Sequence, residues 1–135
     1  MVEYLKEEYI ESYIKFIKSV FDYECKYDLI KKMMNEYKVL IILDKEKAIA
    51  SAFLIEGIDY IKNEKFYSLE YFGVLEEYRK MGYAKLLFNK IEEIIKENNI
   101  KKLKLTSGNQ RKAAHFFYHN NGFKIKDTTV FIKTY

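Results

Sequence analysis

Arg79, Lys80 and Gly82 stand directly ahead of an apolar helical stripe in the segment EEYRKMGYAKLL, residues 76–87. The first backbone N–H groups of a helix have no partner inside it and are commonly capped by an Asp, Ser, Thr or Asn side chain. None of Tyr78, Arg79, Lys80 or Met81 can supply that cap. The cations also face the positive end of the helix dipole, which is unfavourable by about 0.3–1 kcal/mol each on a free surface. Both defects vanish if an anion with several oxygens binds there, accepting the exposed N–H groups and pairing with the cations. Gly82 fits such a site because a side chain would block the approach of a phosphate to the backbone. The segment reads as a pyrophosphate site, and the plain alternative is a water-capped helix with solvated basic residues.

Other residues near this segment have types suited to chemistry. Gly73 interrupts the strand pattern FYSLEYFGV (66–74), where glycine marks a bulge or a close approach of another backbone or a ligand. Glu70, four residues before Val74, falls on the same face as Phe72 and Val74 if the alternation holds, and could serve as a general base or simply be an exposed strand residue. Tyr118 follows Ala114 and Phe117 at helical spacing, which puts its ring in an apolar stripe and leaves its hydroxyl in need of a partner. His115 and His119 share a helix face at a spacing that could bind zinc, but no third ligand is evident, so no metal is expected. Cys25 has no His and acid placed near it by sequence logic, which argues against an acyl-carrying nucleophile.

The elements that must position these residues are legible as periodicities. Ile10, Tyr13, Ile14, Ile17 and Phe21 predict one amphipathic helix, and Ile30, Met33, Met34 and Tyr37 a second. VLIIL (39–43) and AIASAFLI (48–55), separated by the charged turn DKEK, predict an antiparallel hairpin. The strand at 66–74 leads to a helix from about Gly82 to Glu97, and KKLKLT alternates as the next strand. A strand, helix and strand in that order usually form a right-handed crossover with the strands parallel. The C-terminal stretch predicts a helix ended by Gly122 and then two further strands. The fold class is α/β of the α+β type: a mixed, mostly antiparallel sheet with a parallel, splayed pair at its centre and helices on both faces.

With 135 residues, the chain has room for a single domain, 1–135. Hydrophobic residues make up 49% and charged residues 33%, a composition that folds and is not disordered. The net charge of +4, from 24 basic and 20 acidic side chains spread along the chain, suits a small anionic ligand, and no nucleic-acid partner is expected. One cysteine, an N-terminus lacking the apolar core of a signal peptide, and no apolar run of the roughly 20 residues that span a bilayer predict a cytoplasmic protein without a membrane partner. Thirteen tyrosines with no tryptophan or proline look like biased composition and carry no functional weight.

Val74–Ala84, VLEEYRKMGYA, resembles the signature of the GNAT-superfamily N-acetyltransferases: a valine ending a strand, Arg or Gln five residues on, then x-x-Gly-x-Gly or Ala. LTSGNQRKAAHFFYHNNGF (105–123) is similar to the same family's second signature. The resemblance implies that the backbone of Arg79, Lys80, Met81, Gly82, Tyr83 and Ala84 holds the pyrophosphate of acetyl-CoA. It further implies that main-chain groups of Phe72, Gly73 and Val74 pair with the pantetheine amides, and that Tyr118 lies near the departing sulfur as general acid. A family asparagine that often contacts the cofactor is replaced by Arg111, with Asn109 nearby. The expected activity is transfer of an acetyl group from acetyl-CoA to a primary amine by direct transfer in a ternary complex. A non-catalytic CoA-binding module and a weak nucleic-acid binder are the alternatives. Exposed strand edges at the C-terminus allow a homodimer.

Overall fold

Ile10, Tyr13, Phe16 and Ile17 recur three and four residues apart and are all buried on one face of helix α1, Ile10–Phe21. In the computed structural model, which describes residues 1–135, α1 belongs to the first of two compact units, Met1–Leu105; the second is Thr106–Tyr135.

The first unit carries a sheet of five strands: β1 (Val2–Tyr4), β2 (Lys38–Asp44), β3 (Lys47–Asp59), β4 (Glu64–Val74) and β5 (Lys102–Lys104), neighbours in that order. Helices α2 (Tyr27–Glu36) and α3 (Tyr83–Glu97) complete it. β1 through β4 are antiparallel to one another, and β4 with β5 is the parallel pair formed by the crossover through α3. The run Ala48–Leu54 of β3 is buried at every position, so both faces of the sheet are covered. α1 packs on the face that carries Gly73: a Cβ added there would lie 3.0 Å from Phe21 Cζ and 3.0 Å from Val20 Cγ1. α3 buries Leu87, Phe88, Ile91 and Ile94 and touches β1 to β4. Each such side chain contributes about 1.5–3 kcal/mol by leaving water. That outweighs the roughly 1 kcal/mol an absent N-cap costs, so α3 is stable with its first turn open.

In the second unit, α4 (Lys112–Asn120) stops at Gly122, whose φ is +89°. The Phe123 N–H donates to the Tyr118 carbonyl at 3.0 Å and the Gly122 N–H to that of His119 at 3.2 Å, which is the Schellman arrangement. The two expected C-terminal strands are not formed: residues 123–135 hold no helix or strand, and Ile125, Val130, Phe131 and Ile132 are exposed. Alternation gives a segment an apolar face but no hydrogen-bond partner, and a strand needs both. The parallel pair accordingly closes the sheet at its edge, with β5 outermost, and not at its centre.

Candidate active site

The loop between β4 and α3 is built from Leu75 onward. A 3-10 turn, Glu76–Tyr78, is tied to the β2–β3 hairpin by the Tyr78 hydroxyl, which donates to Asp44 Oδ2 at 2.5 Å. Arg79 is committed locally: its amide donates to the Glu76 carbonyl at 3.2 Å and its Nε to the Val74 carbonyl at 3.1 Å. Its side chain therefore locks the loop onto the end of β4. Its amide is not one of the open donors.

Beyond Arg79 the chain turns twice through left-handed conformations, Lys80 at φ +63° and Gly82 at φ +88°. Gly82 occupies the N-cap position of α3 with no side-chain cap, and the first turn contains no acidic residue. The amides of Lys80, Met81, Gly82, Tyr83 and Ala84 donate to no other group of the protein, and the first α3 bond is Leu86 N–H to the Gly82 carbonyl at 3.0 Å. Consecutive amides without a protein acceptor are suited to an anion. A Cβ on Gly82 would meet nothing within 4 Å, so the glycine answers to its backbone angle and to open space above it. Lys80 is exposed and in no ion pair.

Beside this loop β4 runs on past its pairing with β5, which covers only Phe66, Tyr67 and Ser68, to Val74. Past Ser68 the two parallel strands no longer pair, which is the splayed geometry an extended ligand could use.

The bulge sits elsewhere than Gly73. Gly73 pairs with Ser51 and Glu70 with Phe53, so Tyr71 and Phe72 together oppose Ala52, and Tyr71 adopts φ +47°. Gly73 is needed for the close approach of α1. The extra residue also reverses the face assigned to Glu70. Ser51 and Phe53 share a face of β3, so their partners Gly73 and Glu70 share it too, whereas Phe72 and Val74 point the other way. Glu70 is half-buried on the α1 side. On that side the Tyr71 ring meets Phe21 edge-on at 5.3 Å, Tyr23 edge-on at 6.1 Å and Phe53 in a stack at 6.4 Å. The tyrosines assigned to compositional bias include this cluster, and no periodicity in the sequence marks it.

Cys25 is partly buried, and burial, with the Glu24 carboxylate next, pushes its thiol up and keeps it protonated. In the second unit Tyr118 lies on α4, and burial pushes its hydroxyl up, partly opposed by Arg111. Asn109 and Arg111 precede α4, with the Arg111 amide donating to the Gly108 carbonyl at 3.0 Å. His115 Nε2 is buried without a partner, and no group of three His, Cys, Asp or Glu side chains is placed to hold a metal ion. An open cleft of about 890 Å³ between α1 and the β2–β3 hairpin, lined by residues such as Glu11, Ser12, Asp44 and Lys47, contains none of the sequence-predicted site residues. No helix is long and apolar enough to cross a membrane.

The acetyltransferase (GNAT) family model matches residues 2–123. Among solved structures, a GNAT family acetyltransferase from Staphylococcus aureus is 25% identical, with a TM-score of 0.78 over 100% of this chain and 98% of that one. A Trypanosoma brucei acetyltransferase is 17% identical with a TM-score of 0.84, covering 99% of each chain. The aminoglycoside antibiotic 6′-N-acetyltransferase of Acinetobacter baumannii is 17% identical with a TM-score of 0.83 over 100% and 97% of the two chains. No curated protein sequence matches. An uncapped α3 behind the R-x-x-G-x-A loop, a β4 that runs on past its parallel partner, and a family match spanning most of the chain lead to one conclusion: the protein belongs to the GNAT acetyltransferase family.

Proposed function

We propose that this acetyltransferase moves an acetyl group from acetyl-CoA to a primary amine by direct transfer in a ternary complex, as one domain acting in the cytoplasm. The observation that carries the reading is the row of unpaired amides from Lys80 to Ala84 at a helix start that lacks any protein carboxylate. Those amides, with the Lys80 charge, would hold the diphosphate, while Arg79 fixes the loop. Main-chain groups of Phe72, Gly73 and Val74 would pair with the pantetheine amides, and Asn109 and Arg111 would add cofactor contacts.

An alkylamine of pKa about 10.4 must lose its proton before it attacks, at a cost of about 4 to 5 kcal/mol at neutral pH. Glu70, reached directly or through one water, would take that proton. The nitrogen lone pair forms the bond to the thioester carbonyl carbon, the C–S bond breaks, and Tyr118 would return a proton to the sulfur. The protonated state of the Cys25 thiol argues against a covalent acyl-enzyme.

Release of free CoA thiol from acetyl-CoA across polyamines, amino acids, aminoglycosides and peptides tests the reading. Amine-dependent release is expected. Tight CoA binding with no release against any amine would identify a binding module instead.

A further inference from the structure

Six residues other than glycine hold a positive φ, and five of them lie in turns, loops or at a helix end: Asp22, Lys45, Asn63, Lys80 and Asn99. Tyr71 alone lies inside a strand, where a bulky side chain at φ +47° costs on the order of 1–2 kcal/mol. The strain turns its ring onto the α1 side of the sheet. Tyr71 is 42% exposed and Tyr23 58%, their rings perpendicular at 6.1 Å, with Phe21 and Phe53 behind. Tyr37 extends the array through its edge contact with Phe53 at 5.5 Å. Ser51, on the same face two residues from Phe53, is fully buried with the Tyr13 hydroxyl beside its own.

Glu70 precedes Tyr71 in the chain and shares the α1 side of the sheet, and Asp22 and Glu24 flank Tyr23, where Lys18 is tied to Asp22 at 2.7 Å and to Glu24 at 3.2 Å. Exposed aromatic faces beside a carboxylate attract an ammonium ion.

We infer that the rings of Tyr23 and Tyr71, with Glu70 beside them, form the acceptor pocket and select a linear alkyl diamine or polyamine. This inference rests on the proposed acetyl transfer to an amine. The reacting nitrogen must shed its positive charge, so a substrate held by ring faces throughout the reaction carries a second ammonium. The methylene stem packs on the exposed Tyr23 and Tyr71 rings and on the half-buried Phe21. A polyhydroxylated amino sugar would leave most of its polar groups unpaired against these rings.

The test compares 1,4-diaminobutane, n-butylamine and an aminoglycoside as acceptors, with the wild-type chain and the variants Tyr71→Leu, Tyr23→Leu and Tyr71→Phe. The diamine should have the highest kcat/KM of the three acceptors. Each leucine variant should raise the diamine KM at least about 5-fold with the acetyl-CoA KM unchanged, and Tyr71→Phe should keep the wild-type value. Preference for the monoamine or aminoglycoside, or an unchanged diamine KM in both leucine variants, would overturn the inference while leaving acetyl transfer standing. If no amine is turned over, calorimetric binding of 1,4-diaminobutane to the CoA-loaded protein decides it. Binding weakened by Tyr23→Leu supports the pocket, and no binding sinks it.

Discussion

Tyr118 and Tyr13 show how burial acts on a single hydroxyl. Burial disfavours the phenolate of Tyr118 and raises its pKa above 10.0, so the side chain stays a proton donor through neutral and mildly alkaline pH. Tyr118→Phe should lower kcat about 10- to 100-fold with little change in CoA affinity, and the decline of wild-type kcat at high pH should begin above pH 10. Unaltered turnover in that variant would remove Tyr118 from the mechanism. Tyr13 is pushed up to about 12 from 10.0, chiefly by burial. Below pH 10 it is neutral in both folded and unfolded chains and adds no pH dependence. Above pH 10 the unfolded chain ionises first, so the native state loses stability as pH rises, by about 2 to 3 kcal/mol at pH 12. Tyr13→Phe should flatten that loss, read as the urea midpoint at pH 8 and at pH 11. An identical slope in both proteins would contradict the account.

Helices and the central strands were legible because their apolar spacing is long and regular. The stripe of Leu87, Ile91 and Ile94 places α3, and Gly122 places the end of α4, from side-chain type alone. β1 was not anticipated, since three residues before a helical stripe are too few to show a period. The bulge at Tyr71 was also hidden: an inserted residue leaves no mark in composition, yet it moves every later side chain of β4 to the opposite face. Alternation put Glu70 with Phe72 and Val74, and the cross-strand partners put it with Gly73. Gly73, expected to mark a bulge or the approach of a backbone or ligand, faces the side chains of Val20 and Phe21 on α1, and the bulge lies two residues earlier. Gly73→Val would drive new methyl groups into Phe21 and Val20 and should destabilise the fold by about 1–3 kcal/mol, measured as a lower urea midpoint. A midpoint equal to wild type would show that α1 does not press on β4 there.

Across the whole molecule, the lack of a capping residue and the cations ahead of α3 are legible in the sequence, because they are properties of residue type and order. The alternating segment after Gly122 was read as two strands and forms none, since pairing depends on an edge that no local pattern supplies. The central claim is that the amides of Lys80 to Ala84 are kept free for a diphosphate. Titrating the 15N-labelled chain with CoA, and separately with inorganic pyrophosphate, measures it at each amide. The account predicts that Gly82 and Tyr83 shift most with both titrants and that the Arg79 amide moves little. Saturating CoA that leaves the amides of Lys80 to Ala84 in place would contradict it.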